Sequence, residues 1–97
     1  MSKTVEVYKC LGNETRLSIV QELIRRDEEV AGSDVLGSCS LALGLAQPTL
    51  SQHFSRLVAA GVITEAKRGV EKYYRINMQT LTDAGIDAQQ LTAGEEE

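Results

Sequence analysis

No run of this chain approaches the ~18 consecutive apolar residues of a membrane-spanning helix, so no membrane partner is expected. Its first residues, MSKTVEVYK, lack the apolar stretch of a secretory signal, which points to a cytoplasmic protein. Cysteine is scarce. Cys10 and Cys39 make no disulfide framework, and in a reducing cytoplasm they are thiols by default. Two thiols also fall short of the four-ligand set of a structural zinc site, and no metal or other cofactor is expected. Histidine occurs once, at His53, without an acidic or nucleophilic companion at catalytic spacing, so no catalytic residues are expected and the chain does not read as an enzyme. Proline also occurs once, at Pro48. No internal repeat is present, and the only low-complexity stretch is the terminal Glu95, Glu96 and Glu97.

What remains is an ordinary folded composition. Of 97 residues, 42% are hydrophobic and 25% charged, enough for one domain with one core and not for two. The net charge of −4 argues at first against a nucleic-acid partner. Its distribution argues the other way. Acidic residues cluster at Asp27, Glu28 and Glu29 and at the terminus, whereas Arg56, Lys67, Arg68, Lys72 and Arg75 face only Glu65 and Glu71 between Leu41 and Thr80. A locally basic face and a plain solvated surface both fit this pattern.

The stretch from Ser38 to Gly61, SCSLALGLAQPTLSQHFSRLVAAG, organises the rest. Gly44 can end one helix in a positive-φ conformation, Leu45 plugs the turn, and Pro48 fits the first turn of the next helix, where its missing N–H costs nothing. Leu50, Phe54 and Leu57 then recur at i, i+4 and i+7, a stripe that must face a core. The other face presents Gln47, Thr49, Ser51, Gln52, Ser55 and Arg56. Amides, hydroxyls and a guanidinium are the groups that match base edges and phosphate oxygens. Gly61 closes this second helix, over 47–60, and the whole reads as a helix-turn-helix.

On the N-terminal side, Ser2 to Cys10 predicts a short helix with Val5, Tyr8 and Leu11 on one side. Asn13 predicts the cap of a longer helix, Glu14 to Arg26, burying Leu17, Val20, Leu23 and Ile24. Asp27 to Gly32 reads as a polar connection, and Ser33 or Asp34 as the cap of a third helix with Leu36, Cys39 and Leu43 inward and Leu41 outward. After Gly61 the period changes to two: Val62 to Lys67 and Glu71 to Asn77 predict strands joined through Arg68, Gly69 and Val70. Tyr74 and Ile76 should face inward, Tyr73 and Arg75 outward. This wing, 62–77, would place Lys67, Arg68 and Lys72 where they reach phosphates. Asn77 predicts the cap of a short helical segment over 78–92, interrupted at Gly85, with Asp87 and Gln90 starting its last turn and an acidic frayed tail over 93–97. The expected fold is therefore mainly α with a small two-stranded β-wing (α+β), a winged helix-turn-helix filling 1–97 with its core over about 5–77.

LGNETRLSIVQEL (Leu11 to Leu23), LGLAQPTLSQHFSRLVAAGVI (Leu43 to Ile63) and the strand KYYRIN together resemble the ArsR/SmtB family of winged-helix repressors. The resemblance covers roughly Val5 to Asn77. It implies a homodimer, paired through its first and last helices, that binds a palindromic double-stranded DNA operator and releases it on sensing a metal or an oxidant. It implies further that Gln47, Pro48, Thr49, Ser51, Gln52 and Arg56 approach DNA. Several family features are missing. Val35 and Gly37 stand where metal-sensing members carry a Cys-x-Cys pair, the tail has no histidine, and Ala46 replaces the usual Ser or Thr N-cap.

Two further readings concern single residues. Cys10 and Cys39 could form a thiol switch or serve as two ligands of a soft metal, or both could be small core residues. His53 could reach a phosphate or be a partly buried, hydrogen-bonded side chain. A winged helix used only for protein–protein contact, through the wing or Leu41, is the rival to DNA binding.

Overall fold

Short polar side chains set three helix starts. Ser2 accepts from the Val5 N–H, Asn13 from Arg16 and Asn77 from Thr80, each satisfying one of the donors a helix leaves open. The computed structural model describes residues 2–93. Its elements are α1 (Lys3–Leu11), α2 (Glu14–Arg26), β1 (Val30–Ala31), α3 (Gly32–Leu43), α4 (Gln47–Ala59), β2 (Ile63–Arg68), β3 (Glu71–Ile76), α5 (Met78–Asp83) and α6 (Ala88–Ala93). Of the expected tail over 93–97, Ala93 ends α6 and 94–97 lie outside the described residues.

Strands β2 and β3 form the expected hairpin, tightened to a two-residue loop at Gly69 and Val70, with Arg68 opposite Glu71. Tyr74 and Ile76 are buried and Arg75 is exposed, as the alternation requires. The stretch Asp27 to Gly32 differs from its expected reading as a connection. Val30 and Ala31 pair with Tyr74 and Tyr73, giving an antiparallel sheet in the order β1-β3-β2. Two residues are too few to show an alternation, so this strand left no period in the sequence.

The start of α3 also differs from expectation. Ala31 occupies the cap position without a side-chain bond, so neither Ser33 nor Asp34 caps the helix. The chain turns straight from β1 into α3, which puts Ser33 inside the first turn. There its N–H and hydroxyl donate to Glu71 at 3.3 and 3.4 Å, so a carboxylate from β3 serves the helix end. Asp34 accepts from Arg26 at 3.2 Å instead. Gly32 is closely packed: a Cβ would lie 3.1 Å from the Lys72 carbonyl and 3.2 Å from the Tyr74 ring, so those neighbours would have to shift to admit one. On α3 the fully inward residues are Val35 and Cys39, with Leu36 and Leu43 half-buried and Leu41 90% exposed.

The core lies where α2 meets α4 and the sheet. Ile19, Val20 and Leu23 of α2 are buried, while Leu17 and Ile24, expected in the stripe, are half-buried. Helix α2 touches α1, α4, α6 and β3, so it buries more than one face, and a single-stripe pattern undercounts it. The end of the chain is tied back by two bonds: Tyr8 donates to the Ala84 carbonyl and Gln21 to that of Leu91, each at 2.7 Å. Tyr74 packs 4.9 Å from the Phe54 ring and donates to Glu65 at 3.0 Å. Burial, then that carboxylate, pushes its phenol up to about 12.

Candidate nucleic-acid interface

Helices α3 and α4 are joined by a turn whose shape follows from its residues. Gly44 ends α3 at φ 67°, a conformation that costs an L side chain but not glycine. Ser40 then donates to the Leu45 carbonyl at 2.6 Å, and Leu45 packs against the core. Pro48 sits in the first turn of α4. At the other end the Gly61 N–H bonds the Val58 carbonyl and the Val62 N–H that of Leu57, the paired bonds of a Schellman stop. The stop lies one residue beyond Ala60, which is the cap itself.

Ala46, at the head of α4, has extended backbone angles but no side chain able to bond the open N–H groups. Replacing it by serine should stabilise the fold by about 0.5–2 kcal/mol. Urea unfolding of Ala46→Ser would show this as a raised midpoint with unchanged slope.

Leu50, Phe54 and Leu57 are at most 1% exposed and hold α4 against the core. Gln47, Pro48, Thr49, Ser51, Gln52, Ser55 and Arg56 are all exposed. Among the described residues, none of their side chains makes a hydrogen bond or ion pair. Thr49, Gln52 and Arg56, at i, i+3 and i+7, share one side of the helix. The strip is open to solvent within the chain and chemically unsatisfied.

His53 faces away from that strip. Its Nδ1 lies 3.2 Å from Arg16 Nη1, and Arg16 Nε donates to the Cys10 carbonyl at 2.7 Å. A guanidinium only donates, so His53 Nδ1 is the acceptor and the proton of the neutral ring is on Nε2. Burial, then the charges of Arg16 and Arg56, lowers its pKa. The expectation of a half-buried, hydrogen-bonded histidine therefore matches the structure. Arg16, which the sequence reading did not single out, ties α1, α2 and α4 together.

The expected basic tip of the wing is divided. Lys67 and Lys72 are direct cross-strand partners, so by alternation they share the sheet face of Tyr74 and Ile76. Like charges directly opposite each other are destabilising. Glu65 offsets this in part, 3.5 Å from Lys72. Arg68 lies on the other face, 2.7 Å from Glu29 and 4.7 Å from the centre of the Tyr73 ring. Lys67 and Arg75 are exposed cations without an ion pair among the described residues.

The two thiols are not brought together. Cys10 faces the Arg56 carbonyl, with its Sγ 3.8 Å away, and lines a cleft between α1 and α4. Cys39 lines a different cleft between α2 and α3. Burial pushes both thiols up, which favours the unreactive protonated form. Among the described residues, no three His, Cys, Asp or Glu side chains are grouped to hold a metal, and no helix is long and apolar enough to cross a membrane.

The sequence over residues 13–65 matches the family of bacterial regulatory proteins of the arsR type. The chain belongs to the arsR family. The matched stretch contains α2, α3, the turn and α4, the elements that build and present the exposed strip. The arsenic resistance transcriptional regulator ArsR1 of Pseudomonas putida is 34% identical over 73 residues; the alignment covers 73% of this chain but only 52% of that regulator. The chain thus spans about half the length of that relative. Among solved structures, the homodimeric winged helix-turn-helix DNA-binding domain of Mb0332 from Mycobacterium bovis superposes with a TM-score of 0.68 at 25% identity, covering 97% of this chain and 81% of that one. The transcriptional repressor PagR of Bacillus anthracis superposes at 0.64 with 26% identity, covering 86% and 90%. The architecture is the winged helix-turn-helix of arsR-family transcriptional regulators, with β2 and β3 as the wing and β1 as a third, short strand.

Proposed function

We propose that the chain is a cytoplasmic transcriptional repressor that binds a palindromic operator as a homodimer. Helix α4 enters the major groove and offers Gln47, Thr49, Ser51, Gln52, Ser55 and Arg56 to bases and nearby phosphates, with Pro48 at its head against the backbone. The wing lies on the flanking backbone through Lys67 and Lys72, whose mutual repulsion a phosphate between them would relieve. Arg68 joins only where phosphate displaces Glu29. No metal, cofactor or catalytic step belongs to this reading.

One observation carries the proposal: the polar strip of α4 is exposed and its side chains are unengaged, while the opposite stripe is buried. The homodimeric relative supports the twofold arrangement, and the repressor among the similar structures supports the direction of control. Footprinting on the DNA upstream of the chain's own gene tests it. Two protected half-sites about one helical turn apart, or a multiple, are expected, with affinity falling linearly in log salt. Equal binding to a scrambled duplex would leave a docking module as the better description.

A further inference from the structure

Beside α4, a cleft of about 300 Å³ opens between α1, the start of α2 and the second half of α4. Its wall carries Lys9, Arg16 and Arg56 against the single carboxylate of Glu6, with Cys10 at its base. Arg16 is held in place by its bonds to the Cys10 carbonyl and to His53. Neither Arg16 nor Arg56 forms an ion pair with a described residue. Two guanidinium groups share one concave site whose single lining carboxylate, Glu6, is ion-paired to neither, on a protein whose net charge is −4. Such a pair is matched in geometry by a compact oxyanion, which guanidinium binds in bidentate fashion.

We infer that this cleft is a phosphate-binding site in which Arg16 and Arg56 clamp one oxyanion between α2 and the recognition helix. The bound group is a backbone phosphate of the DNA or a small soluble phosphate. In the first case Arg16, which lies off the recognition helix, is a DNA contact. In the second the ligand takes Arg56 away from the operator and acts as an effector. Only the DNA case rests on the operator-binding proposal.

His53 reports on the cleft as the chain's single histidine. In the free chain its ring titration is followed by NMR with sodium sulfate against sodium chloride at equal ionic strength, sulfate standing in for phosphate without titrating itself. An oxyanion between the arginines offsets their charge, so the apparent pKa of His53 should rise saturably with sulfate. The rise should vanish in Arg56→Gln and grow in Glu6→Gln. For the DNA case, Arg16→Gln should reduce the slope of log affinity against log salt by about 1 on any duplex. Arg16→Lys, which keeps the charge and loses the bonds to Cys10 and His53, should keep most of that slope.

A slope lowered by Arg16→Gln but largely kept by Arg16→Lys, with or without a sulfate effect, assigns the site to a DNA phosphate. A sulfate effect alone assigns it to a soluble anion. The inference falls if neither changes, or if glutamine and lysine at position 16 lower the slope equally without a sulfate effect. The sulfate titration contains no DNA, so its outcome is independent of whether α4 reads an operator.

Discussion

Phe54→Ala should cost about 3–5 kcal/mol of folding stability, the range for removing a large aromatic side chain from a core that cannot fully collapse. Phe54 is 1% exposed and stacks at a tilt on Tyr74, which holds β3 against α4. Its loss leaves a cavity where the recognition helix meets the wing. A domain of this size is stable by only about 5–15 kcal/mol, so the substitution removes a large share of it. Urea unfolding should show a strongly lowered midpoint, and DNA affinity should fall only as the folded fraction falls. A loss below about 1 kcal/mol would mean that the α4–β3 contact is not a main support of the fold.

This prediction rests on a stripe that could be read directly. Leu50, Phe54 and Leu57 recur with helical period and are among the most buried residues of the described chain. The exposure of the opposite strip follows from the same period, because a helix packed on one face presents the other. The turn was legible through Gly44 and Pro48, and the hairpin through its alternation. Long-range partners were not legible. Glu71 serving α3, β1 adding to β3, Glu29 holding Arg68 and Arg16 bridging to His53 are contacts between residues 37 to 44 positions apart. Periodicity reports which way a side chain points, never whom it meets. The division of the basic tip was hidden for that reason: Lys67, Arg68 and Lys72 are close in sequence, yet pleating sends Arg68 to the opposite face, within reach of a loop carboxylate.

Gln52→Ala and Arg56→Ala should each weaken operator binding by about 1–3 kcal/mol, a loss from about fivefold to more than a hundredfold. The two should differ in kind. An amide reads base edges and carries no charge, so Gln52→Ala should reduce the preference for operator over scrambled duplex and leave the salt slope unchanged. Arg56 lies at the far end of the strip, on the wall it shares with Arg16, so its removal should weaken binding to all sequences and flatten the slope. Neither side chain makes a hydrogen bond to a described residue, and both are exposed, so the folding stability should stay within about 0.5 kcal/mol of the original. That separation is the decisive measurement. If both variants kept full affinity while Lys67→Ala abolished it, the wing alone would hold the DNA. The strip on α4 would then have no part in choosing its sequence.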